Sequence, residues 1–268
     1  MNEISNEELK NIEYDLLKKV HDFCAKNNLK YYLWGGTLLG AVRHNGFIPW
    51  DDDIDIAMPR ADYEAFIHSF EFDDCSVMHC ETNKGYHAPY AKAYDKSTIK
   101  IESISVANEY SIGVDVDIFP IDSYQDINAV TKTLKKRKLL LALRRISLLN
   151  YRTVTSLKNI CINMLVWFVR KVCRITPNKI SRKINQLAMS FSGENAENCM
   201  LYADSNLKTP ILIDSSWQNE LLLYKFEDRE FYIPTGYDKI LTVCYGDYMT
   251  PPPEDKRVTH HGFKAYWK

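Results

Sequence analysis

The chain has 268 residues, 46% hydrophobic and 26% charged, with a net charge of −1; that suffices for one large domain, or a domain with an insertion, around a real core, and the overall charge points to no class of partner. Seven cysteines without a CxxC motif suggest neither a disulfide framework nor a structural zinc site, and fit free thiols in a reducing cytoplasm. The longest apolar run, residues 160–169, falls short of the roughly 20 residues a membrane-spanning helix needs, and the polar, acidic start carries no signal-peptide pattern.

In chain order, the first predicted element is a helix over residues 6–28, where Leu9, Ile12, Leu16, Leu17, Val20 and Phe23 keep helical spacing. A strand over 30–34 leads into Gly35-Gly36, and a short helix begins at Thr37. Residues 53–58 alternate as a strand, and Pro59-Arg60 open a helix that runs to Phe70. Short strands follow near 76–80, 90–94 and 99–101. Residues 112–119, IGVDVDIF, alternate strictly and form the clearest strand of all.

The next stretch is unusual in charge. From Ile127 to Gly193 there is no Asp or Glu, and the Lys and Arg residues give it +15, leaving −16 for the remainder and −1 in total. Its pattern is helical: Leu134, Leu141 and Leu148 repeat every seven, residues 157–172 follow three- and four-residue spacing, and a third helix over 178–191 follows the break at Pro177. Two readings stand: a helical bundle with a solvated basic face, or a surface for a polyanion or anionic lipid headgroups. Nothing in it reads as a base-reading helix or an RNA platform, so no nucleic-acid partner is expected. The tail over 232–257, rich in Tyr, Pro and Gly, reads as an ordered loop region. The expected organisation is a core over 1–126, a basic helical insertion over 127–193, and a C-terminal segment over 194–268 that packs back on the core and completes the site.

The chemistry concentrates in WGGTLLGAVRHNGFIPWDDDIDIAM, residues 34–58. Residues two apart on a strand share a face, so Asp53 and Asp55 point together, as do Asp115 and Asp117. Carboxylates gathered this way bind a hard divalent cation through oxygen; Mg²⁺, which shares its shell with substrate phosphates, is the natural guest, with Mn²⁺ as an alternative. Asp51 and Asp52 read as an entry turn or cap, with Asp52 an additional candidate ligand. Glycine at 35 and 36, before a helix opening at Thr37, lets backbone N–H groups approach a phosphate.

A strand, a Gly-Gly pair, a short helix, Asp-x-Asp on a strand and a further Asp on a later strand together resemble the nucleotidyltransferase superfamily, although the gap from Gly36 to Asp53 is longer than usual there. More narrowly, residues 34–58, with PYAKAYDKST (89–98), DVDIFPID (115–122) and the tail over 226–261, resemble the LicD family, which is akin to the fukutin group of sugar-modifying transferases. The resemblance touches roughly residues 1–125 and 200–268, and no motif in 127–193 joins it. It implies an α+β fold: a nucleotidyltransferase-like mixed sheet flanked by helices, with the basic all-helical stretch as an insertion.

The activity implied is metal-dependent transfer of a phospho-alcohol from a CDP-activated donor to a hydroxyl of a cell-surface glycan, lipopolysaccharide or teichoic acid, or its lipid-linked precursor. Phosphocholine from CDP-choline is the leading cargo, with ribitol phosphate or glycerol phosphate from the CDP-polyol as alternatives. A nucleotidyl transferase and a non-catalytic membrane-associated binding protein are the more distant readings. In this scheme Asp53 and Asp55 hold the metal, and Asp117 completes the site and serves as general base. Gly35, Gly36 and Thr37 cradle phosphate, and Arg43 and Lys92 neutralise its charge. Trp50 and the tail tyrosines Tyr237, Tyr245 and Tyr248 either line the substrate or belong to the core, and His260 is a candidate hydrogen-bonding residue. The expected location is cytoplasmic, peripheral at the inner face of the plasma membrane.

Overall fold

The structure, a computed structural model, describes residues 2–102, 112–190, 193, 196–205, 209–258 and 262–268. The chain opens with α1 (Asn6–Asn27), closed at its start by a capping box between Ser5 and Glu8 and at its end by Asn28 in the left-handed region. Next come β1 (Tyr32–Leu33), α2 (Gly35–His44), β2 (Asp55–Pro59) and α3 (Arg60–Ser69). Four strands follow: β3 (Cys75–Met78), β4 (Ala91–Asp95), β5 (Thr98–Glu102) and β6 (Asp115–Tyr124). Three helices, α4 (Ile127–Leu148), α5 (Leu157–Trp167) and α6 (Pro177–Met189), occupy the acid-free stretch, α5 ending in a π-helical turn over Phe168–Val172. The remainder supplies β7 (Asn198–Met200), β8 (Leu212–Asp214), β9 (Leu221–Phe226), β10 (Arg229–Pro234), α7 (Tyr237–Tyr245) and β11 (Phe263–Trp267). This is a mixed α+β fold.

β6 is the spine of the main sheet, whose order is β1-β2-β6-β4-β3. It runs parallel to β2 and antiparallel to β4, and its far half pairs antiparallel with β7, which in turn pairs with β8. Proline in a central strand is normally excluded because it cannot donate to the ladder, yet β6 contains Pro120. The register explains it. Asp117 N–H donates to Ile54 O on the β2 side at 2.9 Å, so alternate residues, Pro120 among them, face the other edge. There the β4 pairing stops at Ile118 and the β7 pairing starts at Asp122. The proline occupies the gap where the partner changes.

The main core lies between this sheet, α1, α2, α3 and the β9–β10 hairpin. A second core joins Tyr124 at the end of β6 to Val130 and Leu140 of α4, Ile180 and Ile184 of α6, and Tyr202. The heptad leucines of α4 carry part of this packing, but so does Arg137. Its side chain is fully buried and its guanidinium donates to the carbonyls of Tyr202 and Asp204. The tail departs from the loop expectation. Residues 229–234 form a hairpin arm, because Phe231 and Ile233 alternate into the core, and residues 237–245 form α7, which buries Ile240 and Leu241. Among the described residues, no helix is long and apolar enough to cross a membrane.

Candidate active site

The sheet register brings charge together in one row. Asp55 of β2 lies opposite Asp117 of β6, and Asp117 lies opposite Lys92 of β4. Paired residues on neighbouring strands share a face, so all three side chains stand on the same side of the sheet. Asp115, two residues before Asp117, joins them. Lys92 bridges Asp115 and Asp117, the latter at 2.6 Å, and Lys100 of β5 also pairs with Asp115. The sequence reading gave Lys92 to phosphate; in the structure its ammonium is engaged by these two carboxylates.

The aspartate run arrives differently from a simple strand. β2 begins at Asp55 and not at residue 53, because residues 51–54 have no ladder partner apart from the Ile54 carbonyl. Burial still alternates: Asp51, Asp53 and Asp55 are half-buried and line one cavity, while Asp52, Ile54 and Ile56 are buried. Asp51, Asp52 and Asp53 each present a carboxylate oxygen within 4.8 Å of the others'. Asp51, read from sequence as part of an entry turn, therefore converges with Asp52 and Asp53.

The glycines are explained by the same carboxylates. Gly35 has φ +53°, and a Cβ there would sit 2.8 Å from Asp55 Oδ2; one on Gly36 would sit 2.5 Å from Asp51 Oδ2. Any larger residue would push the acids away from the start of α2, whose positive end favours them. Thr37 Oγ1 accepts the Asp55 backbone N–H at 2.8 Å, which fixes the entry of β2 against α2.

Crowding sets the electrostatics. Burial, followed by the nearby charges of Asp53 and Asp117, pushes the Asp55 carboxyl well above its usual range. Burial likewise raises Asp117 to about 6, against the pull of Lys92. Asp115 shows the opposite balance: burial would raise it, but Lys100 and Lys92 hold it down at about 2. Behind the cluster, Glu13 of α1 is fully buried and neither of its carboxylate oxygens has a hydrogen-bond partner among the described residues. Burial pushes its carboxyl well above 4.5, against the pull of Lys100, and the charges of Asp115, Asp53 and Asp52 add to the rise.

The cavity measures about 850 Å³. One wall carries Gly36, Arg43, Trp50 and the three alternate aspartates; the other is the tail, with Tyr245, Asp247, Tyr248, Asp255 and Lys256. Arg43 Nη1 donates to the Tyr248 carbonyl at 2.7 Å and so joins the two walls. Tyr248 is itself buried and donates to Asp238 at 2.6 Å, while Tyr245 is 46% exposed, so only the second presents its ring freely. Trp50 has the Arg257 guanidinium 5.4 Å from its ring and meets His44 edge-on. Tyr237 packs against Tyr224 and the main core. His260 lies outside the described residues.

Three participants were not assigned from sequence. Glu13 had a signal: it falls four residues after Leu9 on the apolar stripe of α1, where a carboxylate is out of place. Lys100 sits on a strand without a distinguishing pattern. Asp204, whose charge reaches Asp55, sits in an irregular stretch that gives no periodic clue.

Residues 28–146, which carry the acid row, the glycine-opened helix and most of the main sheet, match the model of the LicD/FKTN/FKRP nucleotidyltransferase domain. Over those residues the chain is similar to the LicD family. It is 28% identical, over 94% of its own length and 94% of the relative's, to the lipopolysaccharide cholinephosphotransferase LicD of Haemophilus influenzae. It is also 40% identical over 82 residues to an uncharacterised protein of Rickettsia prowazekii, covering 31% of this chain and 28% of that one. A third match, 55% over 49 residues, is to an uncharacterised protein of Rickettsia typhi, covering 18% of this chain and 16% of that one.

Proposed function

We propose that the chain transfers phosphocholine from CDP-choline to a hydroxyl of a cell-surface glycan or its lipid-linked precursor, working at the cytoplasmic face of the membrane. The observation that carries this reading is the end-to-end similarity to a lipopolysaccharide cholinephosphotransferase, joined to a cavity whose floor is acidic and whose walls are partly aromatic.

The donor set fits a hard cation: three carboxylate oxygens lie within 4.8 Å of one another, with Asp55 beside them, its carboxyl raised by burial and by the neighbouring acids. Asp51, Asp52 and Asp53, with Asp55, would hold Mg²⁺, or Mn²⁺ in its place, which would supply charge neutralisation for the donor pyrophosphate. Arg43 adds a fixed positive charge on the same wall. Asp117, raised to about 6, is poised to accept the acceptor hydroxyl's proton near neutral pH. As the acceptor oxygen bonds to phosphorus, the phosphorus–oxygen bond to CMP breaks and CMP departs. Lys92 orients Asp117 for this step. Trp50 and Tyr245, with Asp247 and Asp255 nearby, offer the aromatic and acidic surroundings a quaternary ammonium favours.

The test offers the purified chain CDP-choline, CDP-ribitol and CDP-glycerol separately with native glycan lipid, and follows products by mass spectrometry. Phosphocholine addition with release of CMP is expected. Addition of a polyol phosphate would shift the cargo, and transfer of CMP to the acceptor with release of the free phospho-alcohol would overturn the reaction class. Asp53→Asn and Asp55→Asn are each expected to abolish transfer while leaving the fold intact; wild-type turnover by either would remove the metal assignment.

A further inference from the structure

Helix α5 is built inside out. Its sequence is the most apolar of the helices, yet Val166 is the only residue it buries. Leu157, Met164 and Phe168 recur at helical spacing on the outward face, 81%, 65% and 49% exposed, and Trp167 beside them is 53% exposed. Val166 and Val169 point the other way. A globular protein seldom displays a contiguous face of this kind without a use for it.

The face is held in place. Asn163, the polar break in the apolar run, donates to the Arg152 carbonyl and accepts its backbone N–H, both at 2.8 Å. Arg170 of the π-helical turn donates to the carbonyls of Ser147 and Leu149 at 2.9 and 3.0 Å, fastening that turn to the end of α4. On and beside α5, Arg152, Lys158, Lys171 and Arg174 are exposed, as is Arg145 of α4, and residues 127–193 contain no acid.

We propose that this face inserts into the headgroup and upper acyl region of an anionic lipid bilayer, with the surrounding Lys and Arg on the phosphates. The occupant follows from the two features together. Nucleic acid would use the charge and leave the Leu, Met and Phe face wet. A second copy of the chain would cover the apolar face but bring two basic rims against each other, because an isologous contact pairs like with like. An anionic bilayer satisfies both at once. Near the end of α4, Arg144 donates to the His87 carbonyl at 2.6 Å and lies close to Tyr90, whose ring meets Phe119 of β6, so the helices that carry the face are fastened to the sheet.

This inference deepens the membrane-side location proposed above and rests on it for its purpose only. Loss of transfer activity would leave vesicle binding standing, and absence of vesicle binding would leave transfer to a soluble acceptor standing. The experiment is flotation of the full chain with vesicles of phosphatidylglycerol and phosphatidylethanolamine, against vesicles of phosphatidylcholine. The chain is expected to float with the anionic vesicles, less so in high salt, and Trp167 emission to shift to the blue on binding, a shift lost in Trp167→Phe. Phe168→Ser, at an exposed position, is expected to cut partitioning about tenfold or more. Equal recovery with both vesicle types, unchanged partitioning of Phe168→Ser, or an unmoved Trp167 emission would each overturn the proposal. So would a wild-type dimer in light scattering that Phe168→Ser turns into a monomer, since a second copy would then cover the face.

Discussion

At the scale of single residues, the site crowds buried and half-buried carboxylates together around Lys92 and Lys100. Glu13 is the plainest case, buried behind Asp52, Asp53 and Asp115 without a hydrogen bond among the described residues. Because its folded-state pKa lies above the ordinary 4.5, the folded chain holds a proton there that the unfolded chain has released. Its contribution to stability is therefore intact below pH 4.5 and is lost as pH rises toward the folded value. Glu13→Gln keeps the shape and removes the ionisation. Thermal melts of the chelator-treated protein across pH are expected to show the variant gaining on the wild type as pH rises; parallel curves would mean that Glu13 meets its charge elsewhere. Much of the acid row was legible in the sequence, because period-two alternation needs only a strand. The convergence of Asp51 with Asp52 and Asp53 was not, because it depends on how residues 48–54 turn before the ladder begins. The engagement of Lys92 was not legible either, since it depends on which strand lies beside β6.

At the scale of elements, the sheet is tied to its helices by one buried polar knot. Arg60, the first residue of α3, donates to both oxygens of Asp122 of β6 at 2.7 Å and to Asn185 of α6 at 2.9 Å. Asp122 is completely buried and stands on the face of β6 opposite Asp115 and Asp117. A two-pronged pair of this kind is costly to break from one side, because the guanidinium is left buried without its counter-ion. Asp122→Ala is expected to lower the unfolding free energy by about 3–5 kcal/mol in urea titration, whereas Asp228→Ala, whose carboxylate is on the surface, should change it little. Sequence pattern announced α3 and β6 separately, through hydrophobic spacing. It could not announce their joint, since Arg60 and Asp122 are 62 positions apart and each alone reads as a surface charge. The C-terminal hairpin and α7 were missed for a related reason: their Tyr, Pro and Gly content reads as loop until Phe231, Ile233, Ile240 and Leu241 find the core.

At the scale of the whole molecule, charge is sorted: a strongly positive helical segment beside a remainder that carries −16. Composition alone displayed that separation, and the structure adds that the acidic part gathers its carboxylates into one cavity. Such a cavity exists only in the folded chain, so a divalent cation that fills it should stabilise folding by mass action. At a free Mg²⁺ concentration of about 100 times Kd the gain is about 2.7 kcal/mol. A chain of 268 residues, with an unfolding entropy of about 2.1 cal/mol/K per residue, converts that into a rise in Tm of about 5 °C. The rise should shrink as pH falls through about 6, where Asp117 takes up its proton and protons compete with the cation for the carboxyl of Asp55, which is also raised. Differential scanning calorimetry with Mg²⁺ added to chelator-treated protein, near pH 8 and near pH 5, measures both effects. Asp51→Asn and Asp53→Asn should each remove most of the shift, because each withdraws one of the three converging oxygens, while Asp247→Asn, on the opposite wall, should keep it. A Tm that Mg²⁺ leaves unmoved at the higher pH would overturn the cation site.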